Sequence, residues 1–139
     1  MFISDSALAS WTPRMLSLLR IVVALLFLQR GLTKFFGFPG AAPASMPIFP
    51  VILAGLIEII GSILLLIGLF TRPAAFIMSG EMAVAYWYAH FPRNPFPYNN
   101  GGTLAVLYCF VFLYIFFAGP GPWSVDAARA TKSLSSVAN

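Results

Sequence analysis

The sequence predicts an all-α integral membrane protein, a bundle of four transmembrane helices. Three observations predict this fold: 60% of the 139 residues are hydrophobic, only 9% are charged, and long apolar segments recur along the chain. Soluble domains are about 25% charged, and a helix needs roughly 20 apolar residues to cross a bilayer. The length leaves room for one domain, so residues 1–139 are expected to fold as a single unit.

The predicted spans cover residues 15–36, 50–70, 73–90 and 102–118. The first is the least uniform, because Arg20 precedes its apolar stretch and Arg30 follows it. A cleaved signal peptide, processed among the small residues 42–45, is the alternative interpretation of this segment. Arginines on both sides of so short an apolar stretch favour a retained helix.

Short segments that favour turns separate the spans. Thr71, Arg72 and Pro73 join the second span to the third, which predicts a tight helical hairpin with Pro73 in the first turn of the incoming helix. The connections 37–47 and 91–102 are rich in Pro, Gly and Asn. A Gly-Pro-Gly-Pro sequence ends the fourth span, and residues 120–139 are expected to form a short, solvated, peripheral tail.

The net charge of +4 indicates membrane orientation rather than nucleic-acid binding. The eight basic residues stand singly in apolar sequence, so they form no track that could neutralise a phosphate backbone. Four of them fall on the side of both termini and two on the opposite side, which predicts cytoplasmic termini. The first set is Arg14, Arg72, Arg129 and Lys132; the second is Lys34 and Arg93.

The residue pattern contains no evident metal or cofactor site. His90 is the only histidine and Cys109 the only cysteine. One cysteine excludes an intramolecular disulfide and a CxxC dithiol. One histidine cannot supply both axial ligands of a bis-histidine haem, and no cluster has metal-ligand spacing.

Glu58 and Glu81 each lie near the middle of a predicted span. A carboxylate at the centre of a membrane helix costs roughly 2.5–3.5 kcal/mol, so each is expected to face protein, a partner charge or a functional site. Arg20 and Arg30 share one face of the first span and match the two carboxylates in number. We predict an intramembrane polar seam of these four side chains. Arg30 is paired with Glu58 by depth, while Arg20 either pairs or extends to the inner surface.

Aromatic residues and the single histidine end the third span. Trp87, Tyr88 and His90 are typical of the aromatic belt at a membrane surface. The alternative is a quinone contact, in which the aromatic rings hold a quinone ring and His90 exchanges a proton with it. His90 lies on the opposite side of the helix from Glu81, so the two share one pocket only if the helix end unwinds.

Several short segments follow one another in a characteristic order between Leu19 and Asp126. They are Arg20-Ile21, Gly31 with Lys34, Glu58 to Arg72, Asn100 to Tyr108 and Gly119 to Asp126. Their order and spacing resemble the DoxX family of small four-helix bacterial membrane proteins. Members often carry a glutamate after the paired glycines, where this chain has Thr103, so a chemistry that needs that acid is in question here.

The resemblance implies a multi-pass protein of the bacterial cytoplasmic (inner) membrane with a link to redox metabolism. Some DoxX relatives are described as subunits that oxidise thiosulfate and pass electrons to quinone, and others as partners in oxidative-stress complexes. A quinone and a redox partner subunit are therefore implied by the resemblance.

Three functions remain open, and whether the chain is an enzyme is undecided. The first is an accessory or quinone-interacting redox subunit, with Arg20, Arg30 and Glu58 in the seam and His90 near the ring. The second is a scaffold whose charge pairs only hold the helices together. The third is a small transporter or proton pathway, formed as a homo-oligomer. Either glutamate could carry its proton, because burial favours the neutral acid and a nearby guanidinium favours the carboxylate.

Overall fold

The computed structural model describes residues 4–41 and 47–137. Within these ranges the regular secondary structure is helical and no strand occurs, so the all-α prediction is confirmed. The small residues 42–45, considered above as a processing site, lie outside the described part. The helices are α1 (Asp5–Phe36), α2 (Ile48–Ile67), α3 (Thr71–Ala85) with a π-helical turn (Tyr86–His90), α4 (Pro97–Asn100), α5 (Thr103–Ala118) and α6 (Val125–Val137).

The first helix begins well before the predicted residue 15. Ser4 caps it, because the Ala7 amide donates to Ser4 Oγ at 3.3 Å, and Asp5 places a negative charge in the first turn. The helix ends at Phe36 as predicted. Gly37 follows in the left-handed conformation, at φ +62°, and its amide donates to the Thr33 carbonyl.

The connection between α2 and α3 is as tight as the sequence predicts. Gly68 stops α2 at Ile67, three residues before the predicted end, because its left-handed conformation lets its amide reach the carbonyls of Leu64 and Leu65. The next helix begins at Thr71, and Pro73 lies in its first turn. This short hairpin places α2 and α3 side by side.

The segments expected to be irregular contain two helices. Pro97–Asn100 forms one short turn of helix inside the Pro-rich connection. The predicted tail forms the exposed helix α6, whose first turn is fixed to the hairpin because the Asp126 amide donates to the Gly68 carbonyl at 2.9 Å. Little apolar surface is buried along α6. The hydrogen bond from Asp126 to Gly68, rather than a contact with the core, therefore defines where α6 starts.

The long helices pack in two pairs, α1 with α2 and α3 with α5, and α2 and α3 join the pairs. The outward surface is apolar: Leu25, Ile60 and Phe110 are 46%, 55% and 64% exposed, as expected for contact with lipid. Among the described helices, α1 and α2 are long and apolar enough to cross a bilayer, and α5 is a shorter apolar helix. The buried core is formed by Val23, Ala24, Phe27, Leu65, Ala74, Ala75, Met78, Met82, Ala105, Phe112 and Ile115.

Candidate functional site

Close contact between α1 and α2 at Gly31 positions the main group of charged residues. A Cβ atom at this glycine would lie 2.6 Å from Ile59 Cγ1 and 3.1 Å from the Ile59 amide nitrogen. Only the absence of a side chain therefore allows the two backbones to approach so closely. Arg30, directly before Gly31, and Lys34, about one turn after it, then lie against Glu58 of α2.

Glu58 binds both cations of this turn. Arg30 Nε lies 3.2 Å from Glu58 Oε1, as the predicted pairing requires, and Lys34 Nζ lies 2.7 Å from Oε2. The Glu58 side chain is 0% exposed, whereas the Arg30 side chain is 34% exposed. A buried carboxylate is tolerated only when it is compensated, and two cations on two oxygens compensate it fully.

Glu81 of α3 lies next to this ion pair. Its charged neighbours are Glu58, Lys34 and Arg30, all of which act on it electrostatically. Its Oε2 is buried and has no hydrogen-bond partner among the described residues. We call Arg30, Lys34, Glu58 and Glu81 the charged cluster. Three members of the predicted seam thus lie together, with Lys34 as an addition.

A cleft of about 410 Å³ opens beside the charged cluster. Its polar side is formed by Arg30, and Tyr108 of α5 forms part of the opposite wall. The Tyr108 ring is fixed from behind by Phe27, with ring centroids 5.1 Å apart. We call this the Arg30 cleft; it is lined by Leu26, Gln29, Arg30, Thr33, Pro39, Gly40, Leu104 and Tyr108.

Arg20 lies apart from the other three members of the predicted seam, and it neither pairs with a glutamate nor extends to the surface. It is 0% exposed, and it donates to main-chain carbonyls rather than to a carboxylate. Gly68 ends α2 and leaves carbonyls there without helical partners, and the chain after α5 brings further carbonyls to the same place. The acceptors are Pro120 at 2.8 Å, Leu66 at 3.0 Å, Leu65 and Trp123.

Asp126 completes this end of the molecule. Its Oδ1 accepts from the Phe70 amide at 3.0 Å and its Oδ2 from the Thr71 amide at 2.9 Å, so it caps α3 from a distant part of the chain. Burial raises the pKa of Asp126, but the hydrogen bonds from Thr71 and Phe70 and the charge of Arg129 outweigh it and hold the pKa below 3.8. The Gly119-to-Asp126 motif therefore has a structural role.

The three predicted residues at the aromatic end of the third span have different surroundings. The helix widens to a π-helical turn at Tyr86–His90. His90 Nδ1 lies 3.0 Å from the Asn100 carbonyl oxygen, whereas Trp87 and Tyr88 are 62% and 63% exposed. Their exposure matches the belt interpretation better than a closed quinone site.

Sequence reasoning missed two residues of the site. Lys34 carried a usable signal, because it follows Arg30 by four residues and so lies on the same helix face. Tyr108 carried none, since its position beside Arg30 depends on how α5 packs on α1. Within the described ranges, no three His, Cys, Asp or Glu side chains come together as a metal site.

Two bacterial proteins are similar to this chain along most of its length. An uncharacterized protein of Haemophilus influenzae is 46% identical over 127 residues, which cover 86% of this chain and 93% of that protein. The inner membrane protein YphA of Escherichia coli is 31% identical over 127 residues, or 82% of this chain and 89% of YphA. No solved structure matches the chain at a significant level.

The resemblance noted in the sequence is confirmed by the family comparison. The DoxX family model matches residues 15–91, which include α1 from residue 15 onward, α2, α3 and every residue of the charged cluster. The match covers more than half of the chain, and both relatives extend it toward the C-terminus. The chain therefore belongs to the DoxX family of membrane proteins.

Proposed function

We propose that this protein is a quinone-interacting accessory subunit of a redox system in the bacterial inner membrane. It crosses the membrane four times as a single domain. The similarity to YphA, an inner membrane protein, supports the location. Besides α1 and α2, the continuous run from Thr71 to His90 is about 30 Å long at 1.5 Å a residue, enough to cross the hydrocarbon core.

The Arg30 cleft is the observation that carries the quinone proposal. A volume of about 410 Å³ is in the range of small-molecule sites, which are mostly apolar with a few polar groups. Leu26, Leu104 and Pro39 supply apolar walls, and Tyr108 supplies a ring face. The cleft is open at the protein surface, where the apolar residues around it would meet lipid, and a membrane-soluble ligand would enter from that side.

Arg30 is the group that would hold a quinone oxygen. Its Nε is engaged by Glu58, but its Nη nitrogens have no hydrogen-bond partner among the described residues. The side chain is 34% exposed, so these donors can reach a ligand in the cleft. A quinone supplies two-electron, two-proton redox chemistry when bound, and this chain would bind its ring and orient its carbonyl groups.

The electrons would come from a partner subunit. The sequence holds one cysteine and one histidine, so the chain alone forms neither a dithiol nor a bis-histidine haem. A quinone bound in this cleft therefore needs a second redox protein as electron donor. For that reason we propose an accessory role rather than a complete oxidoreductase.

The first experiment is chromatographic quantitation of quinone extracted from protein purified in mild detergent. We expect near-stoichiometric quinone in the wild type and a large loss in Leu104→Trp, because the indole would fill the cleft. Leu107→Trp is the matched control, since Leu104 and Leu107 are 56% and 57% exposed on the same helix but only Leu104 lines the cleft.

Equal quinone in the two tryptophan variants would contradict the proposed site. A His90→Gln variant then tests the alternative quinone site at the aromatic end, formed by Trp87, Tyr88 and His90. Loss of quinone from this variant would place the site at that end. Background quinone in the wild type, at the level of an unrelated membrane protein, would favour the scaffold function.

A further inference from the structure

Both carboxylate oxygens of Glu58 are occupied by cations. Oε1 holds Arg30 at 3.2 Å and Oε2 holds Lys34 at 2.7 Å, and the side chain is 0% exposed. The negative charge of Glu58 therefore holds both cations, and Glu58 is the anchor of the charged cluster.

Glu81 differs in the partners of its carboxyl group. The Oε2 atoms of both glutamates are buried without a hydrogen-bond partner among the described residues, but only that of Glu58 has a cation within ion-pair distance there. The cations near Glu81, Lys34 and Arg30, belong to α1 and form ion pairs with Glu58. The charged group near it on α2 is the Glu58 carboxylate. When Glu81 is ionised, its buried Oε2 bears charge without a hydrogen-bond donor. When Glu81 is protonated, the carboxyl group is neutral and carries a proton of its own.

The other elements packed on α3 bring no further acid or base to Glu81 in the described part of the chain. On α5, Cys109 contacts Ser79, whose hydroxyl lies 3.5 Å from Cys109 Sγ, and Tyr108 faces Phe27 and the Arg30 cleft. In the π-helical turn, His90 is bonded to Asn100. The electrostatic environment of Glu81 is thus set by the charged cluster.

We propose that Glu81 is a proton-binding site, the carboxyl group of the charged cluster that takes up and releases a proton. Uptake places one proton on the carboxyl group and leaves Glu58 bonded to Arg30 and Lys34. Release returns that proton to water and restores two anions opposite two cations. The site does not require a quinone, and so it extends beyond the proposed function.

The composition of the chain allows a direct test. Glu58 and Glu81 are the only glutamates, so carbon-13 labelling of the glutamate carboxyl group gives two resonances in the whole protein. We expect the Glu81 resonance to move as the pH is changed. The moving resonance should be absent from Glu81→Gln, which keeps the shape of the acid and removes the exchangeable proton.

Two results would overturn the proposal. One is that neither resonance moves over the pH range in which the protein stays folded; the other is that the only moving resonance persists in Glu81→Gln. Glu81→Asp leaves the same single labelled glutamate, and so it gives the assignment if the glutamine variant does not purify. The titration uses protein freed of quinone, so its outcome and the outcome of the quinone extraction are independent.

Discussion

Asp126 and Arg20 show how single side chains replace the hydrogen bonds that helix ends lack. Asp126 supplies acceptors to the first amides of α3, and Arg20 supplies donors to the last carbonyls of α2. In a membrane protein such groups cannot rely on water unless they lie at the surface. Both residues therefore fix the hairpin against the segment that follows α5.

The Asp126 contacts predict a stability that depends on pH. Because the pKa of Asp126 in the folded protein lies below 3.8, its contribution is fully present above that value and is lost as the pH falls below it. We expect Asp126→Ala to lower the free energy of unfolding by roughly 0.5–2 kcal/mol near neutral pH, as for a lost N-cap. Thermal unfolding in detergent measures this, and the wild-type and variant curves should converge in acid.

Asp5→Ala is the control for this unfolding experiment. Asp5 lies in the first turn of α1, and its carboxylate makes no hydrogen bond within the described residues. Asp5→Ala should therefore change the unfolding temperature little. A gap between the wild type and Asp126→Ala that stays constant into acid would show that the carboxylate charge contributes nothing.

Glycines set the distance between neighbouring helices. Gly31 lies against Ile59 of α2, and Gly61 of α2 lies against Met78 of α3, where an added Cβ would be 2.6 Å from the sulfur atom. Helices in lipid associate by close packing, since the apolar surroundings provide no hydrophobic driving force between them. The small residues are thus what allows the charged cluster to form between helices.

A valine at Gly31 is expected to separate α1 from α2. The side chain would collide with Ile59 and with Glu58, costing about 1–3 kcal/mol as for an overpacked core. The matched control is Gly80→Val, because a Cβ at Gly80 meets no atom within 4 Å. Thermal unfolding in detergent should show a lower midpoint for Gly31→Val alone, and equal midpoints would show that the contact can relax.

At the scale of the whole molecule, the basic residues lie mainly at one end. Arg72 binds the Phe116 and Phe117 carbonyls beside the Arg20 contacts, and Arg129 and Lys132 follow on α6. Arg93 lies at the other end, beyond the π-helical turn. This distribution supports cytoplasmic termini in the proposed four-span arrangement.

Thiol labelling tests the proposed topology. In a Cys109→Ala background, single cysteines replace Asn99 in α4 and Ser133 in α6, both of which are exposed. We expect a membrane-impermeant reagent to label Asn99→Cys in intact spheroplasts, and to label Ser133→Cys only after the membrane is opened. Labelling of both sites in intact cells would rule out the four-span arrangement with both termini inside.

The sequence by itself determined the helical class and the family, because these depend on local composition and on the order of short motifs. Apolar runs and Gly, Pro and Ser signals predicted α1, α2, α3 and α5 to within a few residues at most of their ends. Similar depth was enough to pair Arg30 with Glu58. The early start of α1 is also encoded in the sequence, because Ser4 is a typical N-cap residue.

Only the tertiary structure decided which distant groups meet. One acceptor of Arg20 is the main-chain carbonyl of Pro120, one hundred residues away. No side-chain pattern in the sequence predicts such a contact. The shape of the Arg30 cleft and the surroundings of Glu81 Oε2 depend on how α3 and α5 are rotated about their own axes. An apolar sequence does not specify this rotation, because every face of such a helix tolerates contact with lipid. Packing of α3 against α2 and of α5 against α3 fixes that rotation.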